Sequence, residues 1–285
     1  MAVRRDVCWL RASPTGNRWL RAAAAGRLSC CVLTVGIDLA AEPAGTALAL
    51  VQWSASGAWL REVIRPADDD AVIAAVRSAD KAGIDCPLGW PDAFVSFVGA
   101  HQQGAALSGD DARDKAWRRG LAWRGTDEVI RAATGIVPLS VAADRIGHTA
   151  MRCAVIQARL AGLGHPVDRS GVGTIVEVYP AASLKVWGLP WRGYKRSADV
   201  AVRATIIDQL RAAAPWLDLG AHADHCRRSD HALDALIAAL TARAAACGQT
   251  SPPAPQQVAA ARTEGWIALP NIPLAAPGSA PRHSA

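Results

Sequence analysis

The tripeptide Gly-Ile-Asp occurs twice, at residues 36–38 and 83–85. The first copy closes an apolar run, Cys31–Ile37, in which five of seven residues are apolar. Such a run reads as a buried strand. A carboxylate in the middle of a buried strand would be costly to desolvate. At the carboxyl end of a strand it lies on the rim, where open α/β sheets bind ligands. If the two strands are neighbours and parallel, Asp38 and Asp85 converge. Glu177 ends the approach along a further run, Gly173–Tyr179, in the same way.

The segments around these motifs fix the fold class. Thr46–Trp53 and Ala58–Ile64 read as strands joined by the turn at Ser54–Gly57. The helix Ala71–Ala79, capped from Asp68–Asp70, leads to the strand Lys81–Asp85. Residues 92–165 read as mainly helical, with Thr126 as a cap and Ser140 as the start of a second helix. Ala198–Ala213 and Asp230–Ala246 read as helices. A three-strand meander, a crossover helix and later β/α units predict an α/β protein with a mixed sheet.

The last helix carries further acids. Leu233, Leu236, Ile237 and Leu240 form an i, i+3, i+4, i+7 apolar stripe, with Asp234 on its flank. Asp230 and His231 precede Asp234 by four and three residues, so either can share its face. Converging carboxylates repel unless a cation lies between them, and hard oxygen ligands favour Mg²⁺ or Mn²⁺. Such ions can activate water and stabilise a leaving oxygen in phosphodiester cleavage.

Composition constrains partners less than it first suggests. The formal net charge is +6, but the first 30 residues hold six arginines against one acid, Asp6, and so five of those six units. The body is nearly neutral. Nucleic-acid binding, if present, must rest on the acids and a bridging cation more than on a basic surface. No stretch reaches the ~18 consecutive apolar residues of a membrane span. The seven cysteines contain no CxxC pair and their number is odd, so a reducing, cytoplasmic setting is expected. His222, His225, Cys226 and His231 are dense, but their spacing matches no standard zinc finger.

Several blocks, in order, resemble the domain-of-unknown-function family 429, predicted nucleases of the RNase H-like fold. They are Val-Gly-Ile-Asp-Leu-Ala (35–40), Gly-Ile-Asp-Cys-Pro-Leu-Gly-Trp-Pro (83–91), Arg-Gly-Thr-Asp (124–127), Glu-Val-Tyr-Pro-Ala (177–181), Tyr-Lys (194–195), Asp-His-Ala-Leu-Asp-Ala-Leu (230–236) and Glu-Gly-Trp-Ile (264–267). The resemblance implies an RNase H-like domain over 31–270, with a mixed five-stranded sheet, flanking helices and a helical insertion at about 92–165. The segments 1–30 and 271–285 fall outside it as disordered tails.

It also implies a metal-dependent nuclease acting on DNA or RNA, with Mg²⁺ or Mn²⁺ held by Asp38, Asp85 and Asp234. The last-helix segment is similar to that of RuvC-type junction resolvases, which leaves His231 or Asp230 as the fourth ligand. Glu177 is a candidate ligand or base. Arg124, Thr126, Asp127 and Lys195 are candidate contacts to phosphate or substrate. Two alternatives stay open. Gly-Ile-Asp-Leu-Ala followed by Gly-Thr-Ala also resembles the first phosphate loop of actin-like ATPases and sugar kinases, which implies a nucleotide-dependent phosphotransferase. The chain also fits a non-catalytic RNase H-like binding module.

Overall fold

A computed structural model describes residues 32–105 and 114–274, and the statements below concern those residues. The expected tail at 1–30, most of that at 271–285 and the centre of the Gly-rich segment His101–Asp114 lie outside them.

Three strands form the meander: β1 (Val32–Asp38), β2 (Ala47–Trp53) and β3 (Ala58–Ile64). Helix α1 (Asp69–Ser78) crosses over to β4 (Lys81–Asp85). Its N-cap is Asp68, whose side chain accepts from the Ala71 N–H. Four helices follow: α2 (Asp92–Gln102), α3 (Lys115–Ala122), α4 (Gly125–Thr134) and α5 (Gly147–Gly162). The remainder comprises β5 (Ile175–Glu177), α6 (Pro180–Val186), α7 (Val200–Ala213), β6 (Leu217–Asp218), α8 (Ala223–Arg228), α9 (Asp230–Ala246) and α10 (Val258–Glu264).

The sheet order is β5-β4-β1-β2-β3-β6. β2 runs antiparallel to β1 and β3, while β4, β5 and β6 pair in parallel with their neighbours. This mixed α/β arrangement is broadly consistent with an RNase H-like fold, but it has six strands where five were expected. The extra strand, β6, is two residues long, too short to show any alternation, and it pairs only with Ala58 and Trp59 of β3.

Two helix starts also differ from the sequence reading. Helix α4 begins at Gly125, with Arg124 as the N-cap rather than Thr126, because Asp127 at the third position accepts the Arg124 N–H and closes a capping box. Ser140 caps only a turn, its Oγ accepting from the Ala142 and Ala143 N–H groups, and α5 starts at Gly147.

Helices cover both faces of the sheet. Val35, Ile37, Leu48, Ala82 and Ile84 pack on one side with Val72 and Val76 of α1 and Cys153, Ile156 and Leu160 of α5. On the other, Ala49, Val51 and Trp53 pack with α7 and α9. Helix α9 is buried on every side over Ala232–Ala242, so it is the central helix of the fold rather than a surface one.

Its seat is set by two glycines. In the parallel β1–β4 pair, Gly36 lies opposite Gly83 and Asp38 opposite Asp85. Side chains alternate along a strand, so each Gly and the Asp two residues later point to the same face. That face meets α9. A Cβ on Gly36 would collide with the Ala235 carbonyl oxygen and the Ala239 nitrogen. On Gly83 it would stand 2.6 Å from the Ala238 carbonyl oxygen. The helix backbone therefore rests on the strands themselves, with Ala235, Ala238, Ala239 and Ala242 as its contact stripe.

Gly36→Ala should destabilise the protein by more than about 3 kcal/mol, the upper end of usual overpacking costs, because its obstruction is backbone that cannot rotate away. Gly99→Ala, in α2 with nothing within 4 Å of the new Cβ, should leave stability unchanged or raise it by up to ~1 kcal/mol. Chemical denaturation of the two variants gives the comparison.

Candidate metal centre

The rim above the two glycines carries the acids. Asp38 and Asp85 face each other at the carboxyl ends of β1 and β4, and Asp234 comes down from the first turns of α9. Ligand oxygens of the three lie within 4.8 Å of one another. Two ligands on one Mg²⁺ ion, bound at 2.0–2.1 Å, stand at most about 4.2 Å apart. The observed spacing is close to that limit, and an all-oxygen set of this kind could hold a hard divalent cation. Asp234 is fully buried (0% exposed) and Asp38 nearly so.

Burial and mutual repulsion both act against ionisation of these acids. Burial pushes the Asp85 carboxyl well above its usual range; Lys195 opposes this, and the charges of Asp38 and Asp234 add to it. Burial raises Asp234 to about 6 despite Lys195, with Asp38 contributing further.

Three neighbours already engage these carboxylates. Tyr194, itself buried, donates its hydroxyl to Asp234 Oδ1 at 2.8 Å. Lys195 Nζ forms an ion pair with Asp234 Oδ2. His231 Nδ1 lies 2.6 Å from Asp38 Oδ2, and this hydrogen bond raises the imidazole pKa against the opposing effect of its burial. Asp230, half-buried at the start of α9, acts on His231 through its charge but does not join the three converging acids. Of the two residues considered for a fourth position, His231 thus touches the cluster through Asp38.

The other sequence-singled residues form a second, adjacent assembly. Arg124, 2% exposed, uses its entire guanidinium. It donates to both oxygens of Glu177 (2.7 and 2.8 Å), to both oxygens of Asp127 (2.9 and 3.1 Å) and to the Glu264 carbonyl (3.1 Å). Glu177 also accepts the Leu88 N–H. Thr126 Oγ1 accepts from Ile267 N, and the Glu264 carboxylate caps the chain at Asp92 and Gly125. Arg124, Thr126, Asp127 and Glu177 thus turn toward one another under the rim and away from solvent. Glu264 and Tyr194 carried no role in the sequence reading. Both lie inside the quoted blocks, Tyr194 directly before Lys195, and that adjacency was the available signal.

The dense His/Cys segment does not converge. His222 Nε2 meets the Arg61 carbonyl, and Cys226 is buried against the Ala232 carbonyl. Trp266 is packed, its Nε1 donating to the Ser251 carbonyl at 2.9 Å.

Fold and site together define a mixed α/β protein with a cluster of three acids on the carboxyl rim of its central strands. The sequence matches the family described as a protein of unknown function, DUF429, over residues 36–258, and the chain belongs to that family. No curated protein and no solved structure matched it. Among the described residues no helix is long and apolar enough to cross a membrane.

Arg124→Met strands two buried carboxylates, Asp127 and Glu177, and should cost about 3–5 kcal/mol in denaturant unfolding. The pH dependence of the metal-free protein carries a second expectation. Asp234 rises from 3.8 to about 6 on folding, so between those values the folded chain binds more protons than the unfolded one. That contribution to stability is complete below pH ~4 and is lost as the pH rises through about 6. Asp234→Asn, which cannot ionise, should gain in stability relative to the wild type across this window; a constant difference from pH 4 to 7 would contradict the assignment.

Proposed function

We propose that this protein is a metal-dependent nuclease that hydrolyses phosphodiester bonds of DNA or RNA with Mg²⁺ or Mn²⁺. The reading rests on one observation: three carboxylates from three separate elements converge at the sheet rim within reach of one cation. A cation bound there would activate water and offset the negative charge that grows on the phosphate and the leaving oxygen.

The chain's own residues divide the remaining work. Asp38, Asp85 and Asp234 hold the ion and position the water. His231 fixes the orientation of Asp38, as outer partners of ligating carboxylates do. Tyr194 fixes Asp234 in the same way. Glu177, Arg124, Thr126 and Asp127 keep the β4 and β5 ends in place, and Asp230 sets the charge around His231. In the reaction the water oxygen bonds to phosphorus as the bond to the leaving oxygen breaks; water gives up a proton and the leaving oxygen gains one. The single sheet among the described residues favours this reading over a phosphotransferase, which needs a duplicated core.

The assay is cleavage of labelled single-stranded, duplex and branched substrates with and without Mg²⁺ or Mn²⁺. Cleavage should require the metal and stop with chelator. His231→Ala should cost about 10–100-fold, the usual cost of losing an outer-shell partner, and Asp38→Asn more than that. Cleavage that persists in chelator, or survives Asp38→Asn, would sink the proposal.

A further inference from the structure

We propose that Lys195 stands permanently where a second cation would otherwise bind, so that the site takes one divalent ion and not two. The inference rests on the metal-site reading above and goes beyond it by fixing the stoichiometry and giving Lys195 a role.

The first support is which oxygens are already taken. Lys195 Nζ holds Asp234 Oδ2, Tyr194 holds Asp234 Oδ1, and His231 holds Asp38 Oδ2. What remains for an ion is Asp38 Oδ1, the Asp85 carboxylate and the second lone pairs of Asp234. One octahedral Mg²⁺ or Mn²⁺, which keeps several waters, is served by that set. Two ions about 3.5–4 Å apart need carboxylates that bridge them, and both Asp234 oxygens already have a partner, Oδ2 the ammonium and Oδ1 the Tyr194 hydroxyl.

Charge gives the same count. Three ionised carboxylates and one ammonium leave a net charge of −2, or −1 when His231 beside Asp38 is protonated, so one dication already offsets it. A second would leave a buried excess of positive charge, which is costly for the same reason as a buried excess of negative charge.

The third support is that Lys195 is held in place. Its ammonium lies 5.3 Å from the centre of the Tyr194 ring. Arg203, itself buried at 1% exposure, donates to the carbonyls on both sides of Lys195, Tyr194 O at 2.6 Å and Arg196 O at 2.7 Å. The backbone carrying Lys195 is thereby clamped. Yet its side chain as a whole is 52% exposed while its ammonium is seated on the buried Asp234, so Lys195 lies at the open edge of the cluster. A fixed ammonium there supplies positive charge to the phosphate oxygens during bond cleavage without itself being exchangeable, an arrangement that costs no reorganisation when charge develops.

Mn²⁺ titration of the full chain, by calorimetry and by loss of the free-ion electron paramagnetic resonance signal, tests this without reference to activity. The wild type should bind one Mn²⁺ per chain. Lys195→Arg should also bind one, and Lys195→Met two, with circular dichroism confirming that each is folded. Two ions on the wild type, or one on a folded Lys195→Met, would overturn the role given to Lys195 while leaving the metal site intact. No Mn²⁺ on the wild type would overturn the metal site as well. Should Lys195→Met fail to fold, Lys195→Gln takes its place: two ions are expected, and one on the folded variant would overturn the role given to Lys195.

Discussion

The close seating of α9 on β1 and β4 is the constraint on which the rest of the molecule depends. Gly36 and Gly83 lie side by side in register and leave no Cβ between strand and helix. Because the strand repeat is two, the same register places Asp38 and Asp85 side by side one step further along, on the same face. Because α9 lies so near, its early residue Asp234 reaches them. Packing and chemistry are therefore one geometric fact. The alanine stripe that touches the sheet and the acid that completes the cluster belong to the same helix, and neither can move without the other.

Around this centre the molecule manages charge in two ways. Below the rim, Arg124 is saturated: each of its N–H groups meets an acceptor, and the two carboxylates it pairs with are buried with it. Such a closed assembly is rigid and has no capacity left for a ligand. At the rim, three acids are opposed by one lysine and one histidine, and Asp85 and Asp234 are raised, first by their burial and further by the neighbouring acids. One cluster is compensated by its arginine and the other is not, and only the second offers acids that could hold a cation.

Much of this was visible in the sequence, and the rest was hidden for identifiable reasons. The repeated Gly-Ile-Asp was readable because local apolar runs fix strand direction, and a carboxylate at such an end has few places to go. Asp234 was readable only as the flank of a helical stripe; its distance from Asp38 depends on how α9 docks, which helical periodicity does not encode. Arg124 and Glu177 belong to blocks that look as functional as the acids, and their mutual pairing joins positions 53 residues apart. Short elements such as β6 and α10 carry too few residues to show a period. The choice between Asp230 and His231 turned on one step of helix phase, about 100°, which only the seated helix resolves.

The three acids also come from opposite ends of the domain, Asp38 and Asp85 early and Asp234 near its close. The sheet's two contributors pair locally through one crossover, whereas the third arrives only when α9 docks. Contacts of such long sequence separation form late, since the intervening chain must first be ordered. On the ribosome, a chain lacking its last quarter holds two carboxylates and no seat for a third. The three-acid cluster is then a reporter of completed folding, formed only once the chain through α9 has emerged.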